Sequence, residues 1–344
     1  MLSVVLTKPY TFSIEEKEIP ACGPEEVLLK ITQVGICGSD MQKYHGKHKH
    51  AKLPQVTGHE CAAVVEAVGE RAAERNPQPL KKGQRVTIFP HISCGECHFC
   101  RTGRANLCRR AIFAGLQRPG FFEAYTVMPA ENVFPLPEGV SDDMAMLTEP
   151  AAVAVHALRL GDVKEGTKVV VIGAGTIGHL VTELSHGVGA KVLVAESLEK
   201  RGKIAEKVGA DKVFGGAMED LGEAVKEFFG EDGAEVFVIS RTVAKDLDTI
   251  LRQVTEGATV VVVGNYKEPA TVDWTLIQRR ELTVKGSFRY TPEDFAQALA
   301  YLQQGLVDPE AIITHRFPIT RVEDAFHLMD EDFRNVLKVA LTFE

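Results

Sequence analysis

The sequence predicts an α/β protein of two domains, a β-rich domain and a doubly wound parallel sheet. A chain of 344 residues exceeds what a single hydrophobic core usually holds. Roughly the first 140 residues carry short β-type runs broken by Gly and Pro. From residue 168 onward, near-continuous apolar runs alternate with helical stretches, which is typical of a parallel sheet covered on both faces.

The β-rich region shows four short runs that we predict as strands of an antiparallel, barrel-like domain: 27–31, 62–65, 85–89 and 124–127. The parallel sheet is predicted from five further runs: 168–172, 191–195, 234–239, 258–263 and 281–285. A helix at 292–304 and a strand at 336–341 follow, and we expect them to complete the first domain. The predicted boundaries are therefore 1–147 with 287–344 for one domain and 148–286 for the other.

The composition limits the classes of partner. The formal net charge is −8, whereas a nucleic-acid surface or an anionic-membrane surface favours a basic protein. No apolar run reaches the roughly 18 residues of a spanning helix, and the first residues do not resemble a signal peptide. We expect a cytoplasmic protein whose partners are small molecules, not nucleic acid or membrane.

A glycine-rich turn directly follows the predicted strand 168–172. It reads Gly173-Ala-Gly175-Thr176-Ile177-Gly178 and opens an apolar helix. The first glycine permits a tight turn, the second lets a pyrophosphate approach the backbone, and the third packs helix against strand. The turn therefore predicts a dinucleotide site, with the phosphates at the start of the helix.

Glu196 ends the next predicted strand, about twenty residues after the glycines. A carboxylate at this place accepts hydrogen bonds from the adenosine ribose and repels a 2′-phosphate. Glu196 therefore favours NAD over NADP, although Lys200 and Arg201 nearby weaken that preference. The alternative for Glu196 is a solvated charge at the end of a strand.

Four cysteines lie within fifteen positions in a loop with little apolar material: Cys94, Cys97, Cys100 and Cys108. Four thiolates bind one tetrahedral zinc ion, which supplies the stability that such a loop lacks. No coordination position is left for water, so we interpret this site as structural. The alternatives are an iron–sulfur cluster and a nucleic-acid-binding zinc ribbon.

A second group combines Cys37, His59, Glu60 and Glu149 from separate parts of the chain. Alone, Cys37 would more often be a small buried residue and His59 a core histidine. Together they supply sulfur, nitrogen and oxygen ligands, which suit a zinc ion with a position left for substrate. Zinc in such a site acidifies an alcohol, whose carbon then gives hydride to a nicotinamide.

At this point the chain resembles the zinc-dependent medium-chain dehydrogenase/reductase family, and within it the sorbitol (polyol) dehydrogenase branch. The resemblance covers essentially the whole length. Its motifs follow the family's order: 35–40, 58–60, the four-cysteine loop, 149–150, the glycine turn, 286–290 and 314–318. It implies a GroES-like catalytic domain built from both chain ends, a Rossmann domain between them and an active site in the cleft.

The resemblance also implies roles for single residues. Cys37, His59 and Glu60 match catalytic zinc ligands, and Glu149 matches a carboxylate that binds zinc directly or through water. Asp40 matches the residue that orients the ligand histidine.

Four more residues match the family's functional positions. Ser39 matches the hydroxyl that takes the alcohol proton. Arg289 and Tyr290 match residues that hold polyol hydroxyls, and Arg201 matches a basic residue near the adenosine ribose.

Two departures from the branch concern the catalytic end. Gln42 stands where the sorbitol enzymes place a proton-relaying histidine, and His45 or water is expected to replace it. The run Lys47-His48-Lys49-His50 adds positive charge, which fits either an acidic or phosphorylated substrate or a solvated loop.

The sequence thus predicts an NAD-dependent oxidoreductase with two zinc ions per chain, which interconverts a secondary alcohol of a polyol or sugar-like substrate with the ketone. Sugar acids, sugar phosphates, cyclitols and threonine are alternative substrates, and a non-catalytic NAD-binding regulator is the remote alternative. The resemblance further implies a homo-oligomer, a tetramer or a dimer.

Overall fold

The structure is a computed structural model that describes residues 1–76, 78–241, 244–266 and 268–343. Its strands, in chain order, are β1 (Leu2–Lys8), β2 (Thr11–Glu16), β3 (Glu26–Ile36), β4 (Glu60–Val68), β5 (Arg85–Ile88), β6 (His91–Ile92), β7 (Ile112–Phe113), β8 (Tyr125–Pro129), β9 (Val133–Pro135), β10 (Lys168–Ile172), β11 (Lys191–Ala195), β12 (Lys212–Phe214), β13 (Val236–Ile239), β14 (Thr259–Val262), β15 (Thr283–Gly286), β16 (Ile313–Pro318) and β17 (Lys338–Thr342).

The α-helices of the described residues are α1 (Gly38–Tyr44), α2 (His98–Arg101), α3 (Asp142–Leu160), α4 (Thr176–Gly187), α5 (Glu199–Lys207), α6 (Leu221–Phe229), α7 (Leu247–Gln253), α8 (Trp274–Arg279), α9 (Pro292–Gln303), α10 (Pro309–Ile312) and α11 (Val322–Glu331). Within this part of the chain, no helix is both long and apolar enough to cross a membrane.

The chain groups into two compact units. The first comprises Met1–Glu149, Thr291–Gln304 and Ile312–Glu344, and the second comprises Pro150–Tyr290 and Gly305–Ala311. Both chain ends therefore contribute to the first unit. The exact domain boundaries given above remain a prediction.

The first unit is built on a mixed sheet in the order β16-β17-β3-β4-β5-β9, with β8 also paired to β3. β17 runs antiparallel to β3 and lies inside this sheet, between β16 and β3. Alternating apolar side chains of β3 and β4 face a core that also receives Phe122 and Phe326. This sheet carries the residues at the end of β3 and the start of β4, where the candidate metal ligands lie.

The second unit contains a six-stranded parallel sheet in the order β12-β11-β10-β13-β14-β15. Its strands Lys168–Ile172 and Lys191–Ala195 have the predicted bounds and are buried almost throughout. The chain reverses its direction of growth between β10 and β13, which creates the crevice where such sheets bind dinucleotides. The predicted α/β class, with a β-rich and a Rossmann-type domain, is confirmed.

Glu183 is a buried carboxyl group on α4, 3% exposed in the second unit. Its Oε1 accepts a hydrogen bond from the backbone N–H of Asp308 at 3.4 Å. Burial raises the pKa of Glu183 to about 8, and the charge of Asp308 adds to the effect while Lys207 opposes it. The folded protein therefore keeps a proton on Glu183 at pH values where the unfolded chain has lost it.

We expect Glu183→Gln to stabilise the protein as pH rises. Because the pKa of Glu183 is raised, the free energy of unfolding of the wild type falls between pH 4.5 and 8, by up to about 1.4 kcal/mol per pH unit. The amide of the glutamine has no proton to lose in this range, so the variant escapes that fall. From pH 5.5 to 7.5, urea unfolding should show the variant gaining on the order of 2 kcal/mol over wild type. The exposed Glu206→Gln is the control; a difference that stays constant with pH at position 183 would contradict the assignment.

Candidate metal and dinucleotide sites

The four-cysteine loop folds so that its sulfur atoms converge. One sulfur from each of the four cysteines lies within 4.8 Å of the others. The Sγ–Sγ distances are 3.5 Å for Cys97–Cys100, 3.5 Å for Cys94–Cys108 and 3.9 Å for Cys94–Cys100. These match the edge of a tetrahedron, about 3.8 Å, that zinc–sulfur bonds of about 2.3 Å produce. The loop therefore fits one zinc ion with four thiolate ligands.

Local donors assist two of these cysteines. A hydrogen bond from the backbone N–H of Glu96 lowers the pKa of Cys94 to about 6. The guanidinium of Arg110 also lies 3.3 Å from the Cys94 sulfur. Cys97 precedes the first turn of α2 and its pKa is lowered by the backbone N–H of Cys100. Such donors favour the thiolate form that a metal ion needs.

Asp40 organises the other candidate site. It is fully buried on α1, and its Oδ1 accepts from Lys43 Nζ at 2.9 Å, from the Thr57 hydroxyl and from the backbone N–H of Gly58 at 3.4 Å. Burial opposes its charge, but the Lys43 ammonium holds the pKa of Asp40 well below its usual range. A permanent carboxylate therefore connects α1 to the segment that leads into β4.

This carboxylate also faces the imidazole of His59, whose Nδ1 lies 3.7 Å from Asp40 Oδ1. The Nε2 atom is thus the nitrogen available to a metal ion. Asp40 Oδ2 in turn accepts from the backbone N–H of Cys37 at 3.1 Å. One carboxylate therefore sets the position of both Cys37 and His59, although the two residues lie over twenty positions apart in the sequence.

Cys37, His59 and Glu60 form one compact group, with a ligand atom from each within 4.8 Å of the others. Burial and the charge of Glu60 raise the pKa of the Cys37 thiol to about 11, although Lys338 opposes the shift. A thiolate at this place therefore depends on a nearby cation. A divalent metal ion supplies one, so the sulfur, nitrogen and oxygen donors present here fit zinc.

Glu60 is held in a narrow space. It pairs with Gly35 across β3 and β4, and a Cβ atom at Gly35 would lie 2.2 Å from Glu60 Oε2. Both carboxylate oxygens accept from the ammonium of Lys338, at 2.7 and 2.6 Å. Lys338 was not recognised from the sequence. Its signal is a lysine directly before the apolar run Val339-Ala-Leu341 of the final strand.

Glu149 lies on α3, 6% exposed and next to Pro150. It lies outside the group of three ligand atoms but within electrostatic range of Lys338. Ser39 is half-buried in the first turn of α1, between Cys37 and Asp40 in sequence.

His45 directly follows α1, and its Nε2 bonds to both carboxylate oxygens of Asp330, at 2.8 and 2.9 Å. Its ring also lies against Tyr10 and Tyr44. His45 is thus held by α11 rather than left to rotate, and its part in a proton relay stays a prediction.

The glycine turn has the geometry that a dinucleotide requires. Gly173 has φ +95°, and a Cβ atom at Gly178 would lie 1.9 Å from the Gly173 carbonyl oxygen. A Cβ atom at Gly175 would meet no atom within 4 Å. Gly173 and Gly178 are therefore needed by the fold itself, whereas Gly175 leaves open space at the start of α4. Thr176 and Ile177, the other two predicted cofactor residues, are half-buried in the first turn of that helix.

Glu196 lies beside this turn, at the carboxyl end of β11. Its Oε2 accepts from the backbone N–H of Ala174 at 2.8 Å, and its Oε1 accepts from that of Leu198 at 2.9 Å. The carboxylate is thereby fixed in direction. Arg201 follows on α5, where burial lowers its pKa and the charge of Glu196 opposes that effect.

The two predicted substrate residues differ in exposure. Arg289 is half-buried with φ +55°, and its guanidinium stacks on Phe288 with 4.9 Å to the ring centroid. Tyr290 is 1% exposed, so it offers almost no surface to a substrate. Of the two, Arg289 is the better placed to contact a ligand.

Both units match known protein families. Residues 23–138 match the alcohol dehydrogenase GroES-like domain, and residues 176–304 match the zinc-binding dehydrogenase domain. The starvation-sensing protein RspB of Escherichia coli K12 is 34% identical over 350 aligned positions, covering 100% of this chain and 99% of that protein. The chain belongs to the zinc-dependent medium-chain dehydrogenase family. The predicted zinc and nicotinamide cofactors are confirmed by this membership.

Two further relatives point to the same enzyme class. The L-galactonate-5-dehydrogenase of Escherichia coli K12 is 29% identical, covering 99% of this chain and 98% of that enzyme. The crystal structure of an alcohol dehydrogenase (rspB) from Escherichia coli CFT073, complexed with NADH, has a TM-score of 0.90 and 33% identity, with 100% and 99% of the two chains covered. The dehydrogenase described here is thus an oxidoreductase that exchanges hydride between an alcohol and a nicotinamide dinucleotide.

Two alanine substitutions separate binding from folding in the glycine turn. We expect Gly175→Ala to leave the melting temperature unchanged, because its Cβ meets open space, but to weaken NADH binding at least about tenfold, because the pyrophosphate must occupy that space. Gly178→Ala should instead lower the melting temperature by several degrees. Fluorescence titration and thermal unfolding check both, and undiminished NADH binding by Gly175→Ala would refute the dinucleotide assignment.

Proposed function

We propose that this dehydrogenase interconverts a secondary alcohol of a polyol or sugar-like substrate with the corresponding ketone, using NAD. The observation that carries the proposal is the compact group of Cys37, His59 and Glu60, one sulfur, one nitrogen and one oxygen donor. This set contains a single thiolate, and Glu149 would add a second carboxylate to that of Glu60, so it is richer in oxygen donors than a zinc site with two or more cysteines. It suits a substrate that brings several hydroxyl groups to an open coordination position.

Each residue near this group has a proposed task. Zinc, when bound, acts as a Lewis acid and makes an alcohol proton easier to remove. Ser39 takes that proton, and Asp40 keeps the imidazole of His59 in position as a ligand. His45, paired with Asp330 and 19% exposed, is the proposed exit of the proton to solvent.

The preference for NAD rests on Glu196. Two backbone N–H groups hold its carboxylate in one direction beside the glycine turn. A carboxylate in this place favours the hydroxyls of an NAD ribose and disfavours a 2′-phosphate. Arg201 supports the adenosine end, and Arg289 is the proposed contact for substrate hydroxyls.

We expect Cys37→Ala to reduce NADH formation on the order of a thousandfold, because the cation loses a thiolate ligand and with it the Lewis acid. Zinc content should fall from two ions per chain to one, while NADH binding persists. The control is Cys22→Ala, since Cys22 lies in the same unit but outside both ligand groups. Unimpaired turnover by Cys37→Ala would refute the proposal.

The substrate itself is identified with a panel of polyols, sugar acids, sugar phosphates and inositols, each assayed by the absorbance of the NADH that is formed.

An anionic substrate, such as a sugar acid, is the second candidate. The segment 45–53, which follows α1, carries Lys47, Lys49 and Lys52 on its surface and contains no acidic residue. The backbone N–H groups of Lys47 and His48 both donate to the carbonyl of Gln42, at 2.8 and 3.1 Å. This basic loop is thus tied to the same short helix that bears Ser39, and one relative acts on L-galactonate, a sugar acid.

The double variant Lys47→Gln, Lys49→Gln distinguishes these two candidates. If the basic loop binds an anionic group, KM for a sugar acid should rise about fivefold or more, while KM for a neutral polyol stays constant. Lys82→Gln, which removes an exposed lysine elsewhere in the same unit, is the matched control. Equal effects on both substrates would leave the loop as a solvated surface and favour the neutral polyol.

We also propose a homo-oligomer located in the cytoplasm. β15 is an edge strand of the parallel sheet, and Val284 on it is 42% exposed. Trp274 on α8 is 75% exposed, and a second copy of the chain would cover both side chains and pair with the edge strand. Analytical ultracentrifugation tests the assembly; a monomer at micromolar concentration would contradict it.

The proposed location in the cytoplasm is supported by the cysteines. All seven are free of disulfides, as expected in a reducing compartment.

A further inference from the structure

The four-cysteine loop is a basic surface on an acidic chain. Between residues 94 and 112, a segment that we name the arginine lobe, Glu96 is the only acidic residue. The same segment carries four exposed arginines: Arg101, Arg104, Arg109 and Arg110. The formal net charge of the whole chain is −8, so positive charge is concentrated here against the overall balance. A concentrated charge of one sign steers association with a partner of the opposite sign.

Two of these arginines share one aromatic ring. The guanidinium of Arg104 lies 5.3 Å from the ring centroid of Phe99, and that of Arg109 lies 5.8 Å from it. Arg110 has a carboxylate partner in Glu96, whereas neither Arg104 nor Arg109 has one among the described residues of its own unit. Two cations beside one ring repel each other, and a carboxylate bound by both would remove that repulsion. The arginine lobe therefore offers a preformed surface for carboxylates.

A row of glutamates in the second unit has the complementary charge. Glu219, Glu223 and Glu227 are exposed and follow one another at a spacing of four residues, the last two on α6. The buried side of α6 consists of Leu221, Val225 and Phe229. Residues two positions further along a helix lie on its opposite side, so Glu223 and Glu227 face outward.

This glutamate row is unfavourable for an isolated helix. Like charges four residues apart destabilise a helix. None of Glu219, Glu223 and Glu227 has an ion-pair partner among the described residues of its own unit, whereas Glu231 after the helix pairs with Lys226 at 3.8 Å. A cationic surface placed on the row would remove the repulsion between its carboxylates.

We propose that the arginine lobe of one chain docks on the glutamate row of a second copy. Both surfaces are exposed, carry opposite charge and lack partners within their own units. A twofold axis between the copies would repeat the contact with the roles exchanged. The contact is separate from the edge of β15, so the inference extends the proposed homo-oligomer by a second interface that joins pairs of chains.

Analytical ultracentrifugation at low ionic strength tests this interface by charge reversal. In the double variant Arg104→Glu, Arg109→Glu, like charges face each other, so the dissociation constant of the assembly should rise at least about tenfold. The double variant Glu223→Lys, Glu227→Lys should weaken the assembly similarly and leaves the four-cysteine loop unchanged. Combining all four substitutions restores opposite charges, so the dissociation constant should return to within about threefold of wild type.

The matched control is the double variant Lys82→Glu, Arg334→Glu. It changes the net charge by the same amount as the lobe variant, and Arg334 also stacks on a phenylalanine, Phe333, at 5.8 Å from the ring centroid. This control should assemble as wild type does. Wild-type association should also weaken as sodium chloride is raised, because salt screens exposed charges. Thermal unfolding verifies that each variant is folded.

Unchanged assembly in both double variants would overturn the proposal, whether the arginine lobe then contacts another protein, its own chain or only solvent. A combined variant that is folded but stays dissociated would overturn it too. Val284→Lys probes the edge of β15 separately. An assembly that only Val284→Lys dissolves would refute the lobe contact alone, whereas a wild type that is monomeric at micromolar concentration would refute the proposed homo-oligomer itself.

Discussion

The structure depends on two buried ion pairs that flank His59, Asp40 with Lys43 and Glu60 with Lys338. Lys43 and Lys338 are the two buried lysines among the residues that the structure describes. Each of them contacts a carboxylate that is itself fully buried. Removing one partner of such a pair leaves an uncompensated charge in the interior, which is strongly destabilising. Each pair therefore fixes its carboxylate, and through it the candidate metal ligands.

The ion pairs also connect distant parts of the chain. Asp40 joins α1 to the segment before β4, and Lys338 brings the last strand to the start of β4. A site assembled from residues 37, 59–60 and 338 requires β17 to pair with β3, which it does from Val339 to Thr342. The first unit therefore needs both chain ends for chemical reasons as well as for packing.

Much of the fold could be predicted because the strands of the parallel sheet are almost uniformly apolar, and because a glycine-rich turn between a strand and a helix is typical of a dinucleotide-binding sheet. Sequence patterns failed where side chains act over long separations. β3 extends to Ile36, beyond the predicted 27–31. The prediction stops short because Gln33 and Gly35 interrupt the apolar pattern of the strand. The role of Lys338 was invisible because a lysine in a strand usually lies on the surface, and only the register of β17 against β3 brings it to Glu60.

The most direct test of the central claim is anomalous diffraction at the zinc absorption edge, from crystals of the protein purified with its native metal. The account predicts two peaks per chain, one among the four cysteine sulfurs and one beside the Cys37 sulfur and the His59 imidazole. A structure with density only in the four-cysteine loop, or with a second peak remote from His59, would contradict it.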